Sequence, residues 1–285
     1  DVALKASISG IRGVVGNTLT PQLIVESILA FSKILPSGEI LIGRDARTSG
    51  EAITNLVKGT LNLIGRNVVD LGIVTTPVVL FGVNEYKFAG GIIITASHNG
   101  EEWNALKLVN SDGKFISPSE FENFLLESYV KEYDYATYNK IGKNSFSHTI
   151  VNDHREKIIN FIDNKLVRSK NIKVALDTIN GGGCFIANDF LKALGCDVIS
   201  INSEPTGFFN HPPEPTPKNL YDLSNLVKSS KADVGFALDP DGDRLVISDE
   251  NGNILSEELT LALSINHYLS TYNKSDVVIN LSTSS

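Results

Sequence analysis

Cysteine occurs only twice in the 285 residues, and methionine does not occur at all, an unusual composition against average usage. Cys184 and Cys196 have no Cys-x-x-Cys or histidine spacing around them. That excludes a disulfide framework and a zinc site, and both read as reduced, packed thiols. Positive charge is also scarce. Lys and Arg together number 25 against 33 Asp and Glu, a formal charge of −8. A surface built for nucleic acid or for an anionic membrane is excluded on that balance, and an anionic substrate would need a local basic pocket. No uninterrupted apolar run approaches the roughly 20 residues of a membrane-spanning helix. Residues 1–16 lack a signal peptide's apolar core, so a cytoplasmic protein is expected.

What is present is a chain 42% hydrophobic and long enough for about two domains. Glu39–Gly43, Asn67–Gly72 and Gly90–Thr95 are short apolar segments bounded by turn residues, as buried parallel strands should be. Between them, Pro21–Leu35 and Glu51–Ile64 space their apolar residues near helical period. The stretch Glu127–His148 is polar, carries four tyrosines and breaks this rhythm. A second unit follows: strand Lys173–Asp177, turn Asn180–Gly183, helix Cys184–Leu194 and strand Asp197–Ser200. The prolines of Phe208–Pro217 mark a fixed loop, and helix Leu220–Ser229 comes next. Val234–Leu238 and Leu245–Ser248 then read as paired strands around an acidic hairpin. The fold class is therefore α/β, with expected domains over 1–147 and 148–250. Residues 251–285 supply one helix and a strand at Asp276–Leu281, the beginning of a third domain that cannot form a core alone.

Three constellations carry chemistry. In Asp239-Pro240-Asp241-Gly242-Asp243-Arg244 the three carboxylates alternate with turn residues. A tight turn can aim them at one point, where they would repel each other without a cation. Hard oxygen ligands with open positions suit magnesium bridging to phosphate. A solvated acidic turn is the plainer reading. An EF-hand, with Glu250 at its twelfth position, fails because Arg244 replaces the required glycine and the flanks are strand-like. A phosphatase of the haloacid dehalogenase type, with Asp239 as nucleophile, is a stronger rival, although that family places its motif after the first strand.

The second constellation is Thr95-Ala96-Ser97-His98-Asn99-Gly100, at the end of an apolar strand where α/β sheets place ligand crevices. Ser97 lacks a G-x-S-x-G elbow or an Asp near it in sequence, so an acyl-transfer triad has no support, and a helix N-cap is an equal alternative. Lys107, in Trp103-Asn104-Ala105-Leu106-Lys107, could return to Ser97 as acid, base or phosphate clamp, or could be an ordinary surface lysine. The third constellation is a pair of glycine-flanked arginine segments, Ser9-Gly10-Ile11-Arg12-Gly13 and Gly43-Arg44-Asp45-Ala46-Arg47-Thr48-Ser49-Gly50. Glycines admit backbone amides to an oxyanion, and arginine offers a planar fork for phosphate. Arg44 with Asp45 reads equally as a loop brace.

Taken together and in this order, these segments resemble the α-D-phosphohexomutase family: phosphoglucomutases, phosphomannomutases and phosphoglucosamine mutases. The resemblance spans essentially the whole chain. It implies successive α/β domains with mixed sheets sandwiched by helices. It also implies an isomerase that interconverts hexose 1- and 6-phosphates of glucose, mannose or glucosamine through a bisphosphorylated sugar. Residue by residue, it implies that Ser97 is the phosphoserine and that Asp239, Asp241 and Asp243 hold Mg2+ together with Ser97. Arg12, Lys107 and Arg244 would assist proton transfer and charge stabilisation, with His98 beside the phosphoserine. Arg12, Arg44, His98, Asn104, Lys107 and Arg244 would contact substrate or phosphate. A hexose bisphosphate activator and a small-molecule phosphosugar substrate are implied, no nucleic acid or membrane partner, and a homodimer is compatible with it. The Trp103–Leu108 run is similar to phosphoglucosamine mutases and to broad phosphoglucomutase/phosphomannomutases of bacteria and archaea.

Two departures stand out. Gly100 occupies a position where the family usually has proline, which leaves the serine loop less stiff. The family's sugar-selecting Gly-Glu-x-Ser-Gly-His-type loop and its phosphate-gripping fourth-domain loop do not occur up to Ser285. These 285 residues alone are therefore expected to hold metal and phosphoserine without gripping the distal phosphate of a substrate. A phosphatase and a non-catalytic phosphate-binding module remain the alternatives.

Overall fold

The computed structural model describes residues 5–272 and 275–278. Along the chain run β1 (Lys5–Ser7), β2 (Gly10–Val14), α1 (Pro21–Ile34), β3 (Ile40–Arg44), α2 (Gly50–Leu63), β4 (Val68–Ile73), α3 (Thr76–Tyr86), β5 (Gly90–Ile94), β6 (Trp103–Val109) and α4 (Pro118–Val130). There follow β7 (Asn144–Phe146), α5 (Thr149–Phe161), α6 (Asn164–Ser169), β8 (Lys173–Asp177), α7 (Cys184–Ala193), β9 (Asp197–Ile201), α8 (Tyr221–Ser230), β10 (Val234–Leu238), β11 (Leu245–Ser248) and α9 (Glu257–Thr271).

The strands form two mixed sheets, β1-β2-β6-β5-β3-β4-β7 and β11-β10-β8-β9. In the first, side-chain alternation explains why both faces are covered. Ile40, Ile42, Ile92 and Ile94 pack with Ile28 and Phe31 of α1 and with Val57 and Leu61 of α2. Leu41 and Ile93 point the other way, into a cluster with Val79 and Val83 of α3 and Ile150 of α5. The helices start where local chemistry satisfies their free amides. Thr20 accepts from the Leu23 amide ahead of Pro21. Ser117 and Glu120 form a reciprocal capping box ahead of Pro118.

The α/β class and the mixed sheets follow the sequence reading, and several elements refine it. Gly90–Thr95 is parallel only to β3; its other neighbour, β6, is antiparallel and carries the Trp103–Lys107 segment. The patternless stretch 127–148 contains β7, a three-residue strand whose side chains are all exposed and so show no burial period. Of the strand expected at Asp276–Leu281, residues 276–278 are irregular and 279–281 lie outside the described residues. Among the described residues no helix is long and apolar enough to cross a membrane.

The two sheets meet where catalytic chemistry would be placed, at the carboxyl ends of β3, β5, β8 and β10. The backbone joins them directly. The Thr76 amide, in the first turn of α3, donates to the Asp241 carbonyl at 2.8 Å. The Gly182 amide, between β8 and α7, donates to the Pro240 carbonyl at 2.7 Å.

Candidate functional site

β5 delivers its chain into the turn Thr95–Gly100, where Ser97 adopts φ +50°, a left-handed conformation that costs a non-glycine residue on the order of 1 kcal/mol or more. A ladder of bonds holds it there. The Ser97 amide donates to Thr95 Oγ1 (3.0 Å), and Thr95 Oγ1 donates to Asp45 Oδ2 (2.6 Å). Ser97 is therefore no helix N-cap: it is a buried serine in a turn, and its Oγ donates to Asp239 Oδ2 at 2.9 Å. The carboxylate missing around Ser97 in sequence arrives from 142 residues away.

β10 and β11 are antiparallel and flank the acidic hairpin, which removes the helix–loop–helix context of an EF-hand. Ligand oxygens of Asp239, Asp241 and Asp243 lie within 4.8 Å of one another. Asp239 and Asp241 are fully buried, while Asp243 is exposed. Asp241 Oδ2 accepts from Thr76 Oγ1 (2.5 Å) and Lys107 Nζ (2.6 Å), and Asp243 Oδ2 accepts from the same ammonium at 3.0 Å. Asp241 Oδ1 is buried with no hydrogen-bond partner among the described residues. An orphaned carboxylate oxygen inside an all-carboxylate cluster, next to a serine hydroxyl, fits a hard divalent cation that would take oxygens from all three aspartates.

Electrostatics point the same way. Burial, then the charges of Asp241 and Asp243, push the Asp239 carboxyl well above the usual carboxylate range. Burial works against the Asp241 carboxylate as well, but the Lys107 ammonium and its hydrogen bonds hold that group below its usual value. For Lys107 itself, burial opposes the charge, while Asp241 and Asp243 outweigh it and raise its pKa. It stays an ammonium. Burial, with Arg244 and Arg12 nearby, lowers the pKa of His98, whose Nδ1 is 3.4 Å from Ser97 Oγ. Arg12 Nη1 donates to Asn99 Oδ1 at 2.7 Å.

Arg12, Ser97, His98, Lys107, Asp243 and Arg244 line one cavity of about 260 Å3. Two expected contact residues point elsewhere. Asn104 is fully buried; its amide donates to Ser49 Oγ (2.9 Å), and its Oδ1 accepts from the Ala105 amide, so it fastens β6 to the start of α2. Arg44 donates to the Asp45 carbonyl at 3.2 Å, the loop brace, and does not line the cavity. Two residues that sequence reasoning passed over do serve the site. Thr76 hydrogen-bonds Asp241, and the helix-start signature Thr75-Thr76-Pro77 was its only signal. Arg47 lies inside the quoted arginine segment, and its fully buried guanidinium holds the serine loop through the carbonyls of Ser97 (2.6 Å), Asn99 (2.7 Å), Gly100 and Trp103 (2.9 Å).

A second pair, the half-buried His211 on the buried Asp177, braces the far side. His211 Nε2 is 3.0 Å from Asp177 Oδ2, at the end of β8. Burial opposes the imidazolium, and the Asp177 hydrogen bond and charge outweigh it, so the His211 pKa is raised. A raised folded-state pKa gives stability that is complete below the unfolded value of about 6.5 and is lost as pH rises through the folded value. Urea unfolding of the parent and of His211→Asn should therefore show a larger stability gap at pH 5.5 than at pH 8.5. Equal gaps would mean that the pair is not ionic.

Residues 4–136 match the phosphoglucomutase/phosphomannomutase α/β/α domain I, and residues 152–252 match α/β/α domain II of the same family. The chain is 35% identical over 277 residues to a probable phosphoglucosamine mutase of Methanopyrus kandleri, covering 97% of this chain and 60% of that protein. It is 34% identical over 261 residues to a phosphoglucomutase/phosphomannomutase of Thermococcus kodakarensis, covering 89% of this chain and 57% of that one. The crystal structure of a phosphoglucomutase/phosphomannomutase family protein from Burkholderia thailandensis superposes with a TM-score of 0.81 at 28% identity, over 93% of this chain and 60% of its own. The chain thus spans about 60% of the length of such relatives.

Proposed function

The chain belongs to the phosphoglucomutase/phosphomannomutase family, and on that premise we propose that Ser97 carries the phosphoryl group by which a hexose 1-phosphate and a hexose 6-phosphate are interconverted. The observation that carries this reading is the Ser97 hydroxyl, 2.9 Å from Asp239 in a cluster of three aspartates. Magnesium is the cation we assign to Asp239, Asp241 and Asp243; when bound with an oxygen of phospho-Ser97 it would neutralise charge on the transferring group.

The rest of the chemistry falls to the chain's own groups. In the forward half, the bond between phosphorus and Ser97 Oγ breaks while a sugar hydroxyl oxygen bonds to phosphorus. The hydroxyl proton leaves and a proton returns to the serine oxygen. The sugar, now bisphosphorylated, reorients and gives its other phosphoryl group back to Ser97. Such transfers depend on in-line placement and on neutralising oxygen charge. Lys107, held as an ammonium, suits charge stabilisation and proton donation, and the neutral ring of His98 suits accepting a proton. Arg12 and Arg244 line the cavity and present guanidinium forks to phosphate oxygens. Glucose, mannose and glucosamine phosphates are all retained as substrates, with a hexose bisphosphate as activator. A cytoplasmic setting accords with the unpaired Cys184 and Cys196. We also keep the division into 1–147, 148–250 and a third unit beginning at 251; the separate seven- and four-stranded sheets support the first two units, with α5 packing Ile150 back against the first sheet.

Peptide mapping after incubation with Mg2+ and a hexose bisphosphate tests this reading. A single phosphate on Ser97, lost completely in Ser97→Ala, is expected. Phosphate on Asp239 would favour the phosphatase, and no incorporation a phosphate-binding module.

A further inference from the structure

The serine loop is also held from the second sheet, by a segment of which only His211 has been given a role above. Residues 202–211 leave β9 and cross to the first sheet. The segment is tied to its own sheet through Asn180. The Asn180 amide donates to the Asn202 carbonyl (2.6 Å), its side chain donates to the Phe208 carbonyl (2.9 Å), and its carbonyl accepts from the Gly207 amide (3.2 Å). His211 closes the far end on Asp177. Against the first sheet, Gly207 sits at φ +71° so close to the arginine segment that a Cβ there would lie 2.2 Å from the Ala46 carbonyl oxygen and 2.7 Å from Arg47 Cα. The Phe209 ring lies 5.1 Å from the Arg47 guanidinium carbon, and the Phe209 amide donates to Glu101 Oε1 at 2.6 Å. Thus Arg47 carries the Phe209 ring on one side and four carbonyls of the serine loop, Ser97 included, on its fork.

We infer that Phe209 and Glu101 are positioning residues, through which the 202–211 strap fixes Ser97 from the second sheet by way of Arg47 and the loop backbone. The reason lies in the loop itself. Ser97 is in a strained left-handed conformation, and Gly100 supplies none of the stiffness of a proline. A conformation that is intrinsically unfavourable persists only when its surroundings over-determine it. Cation–π stacking fixes the plane of the guanidinium, and that plane sets where the four carbonyls sit. Misplacement by about 1 Å can cost a phosphoryl-transfer site on the order of a hundredfold.

This inference rests on the reading of Ser97 as phosphoryl carrier, so the test has two arms. In the first, backbone amide hydrogen exchange is measured over residues 97–103 of the full chain, with residues 174–177 of β8 as an internal monitor of global opening. In the second, the initial rate of Ser97 phosphorylation by glucose 1,6-bisphosphate with Mg2+ is followed by intact mass. Phe209→Ala and Glu101→Ala should each raise exchange at 97–103 several-fold without raising it at 174–177. Phe209→Ala should slow phosphorylation about tenfold while leaving Mg2+ affinity unchanged, and Phe209→Trp should restore both readouts. Phe208→Ala, at the exposed neighbouring ring, should change neither. Unaltered exchange in Phe209→Ala overturns the strap, and raised exchange with an unaltered rate overturns its positioning role. A parent chain that takes no phosphate on Ser97 overturns the reading of Ser97 instead, and the exchange arm still decides whether the strap holds the loop.

Discussion

Asp241→Asn is expected to weaken Mg2+ binding by on the order of a hundredfold or more and to abolish measurable phosphorylation of Ser97, while the chain still folds. Removing a partner that merely orients a metal ligand costs about 10–100-fold in affinity. Asp241 would be a direct ligand with one oxygen that has no other partner among the described residues, so its loss should exceed that range. Asparagine keeps the shape and can still accept from Thr76, but it removes the charge that Lys107 faces at 2.6 Å. Breaking a buried ion pair costs about 3–5 kcal/mol when the remaining charge has no compensation. Here Asp243 stays 3.0 Å from Lys107, so the cost should fall at the lower end, about 3 kcal/mol. The Asp239 carboxyl loses one of the two like charges that push it upward and should ionise more readily. Titration calorimetry with Mg2+ and urea unfolding separate the two effects. Unchanged affinity with lowered stability would reduce Asp241 to a structural partner of Lys107.

Much of this arrangement was legible in the sequence, and the residues show why the rest was not. Ile40, Leu41 and Ile42 sit in one short apolar run between turn residues, and a strand buried on both faces has that appearance from composition alone. The acidic hairpin was legible because its geometry is local: Pro240 and Gly242 turn the chain within six residues, and β10 and β11 pair on either side. Helix α3 was not legible. Its run Pro77-Val78-Val79-Leu80-Phe81 holds two β-branched residues and is continuously apolar, and periodicity does not separate a short buried helix from a buried strand. Strand β6 was hidden by its own motif, since Asn104 and Lys107 drew attention as chemistry. Only pairing shows that Asn104 faces Ser49 while Lys107 reaches the aspartates. Two long-range pairings had no signal in the sequence. Thr76 meets Asp241 across 165 residues, and Phe209 meets Arg47 across the two sheets.

Arg47 carries the other large effect. Its five N–H groups are all engaged: Nε donates to Asp45, and the two terminal nitrogens donate to the carbonyls of Ser97, Asn99, Gly100 and Trp103. Both members of the Asp45–Arg47 pair are fully buried. In Arg47→Met the space is filled, but Asp45 is left with the Thr95 hydroxyl and the residue 47 amide as donors, and four carbonyls lose the guanidinium, Gly100 keeping the Trp103 amide at 3.2 Å as a donor within the loop. The expected loss is about 3–5 kcal/mol, the cost of an uncompensated buried charge, or roughly 10 °C in Tm for a chain of this size. Arg47→Lys should recover little of it, because an ammonium has three donors and no planar fork. The pH dependence follows from Asp45, whose carboxyl burial already pushes upward against the pull of Arg47. Without Arg47 it rises further. A carboxyl whose folded pKa lies above its unfolded value loses stability as pH climbs through the interval between the two, and regains it on protonation. The gap between parent and Arg47→Met should therefore be widest near pH 8 and narrow toward pH 5. Thermal unfolding at both values decides the matter: a variant that melts within a degree or two of the parent at pH 8 would show that the loop carbonyls find other donors and that Arg47 is not what holds Ser97 in place.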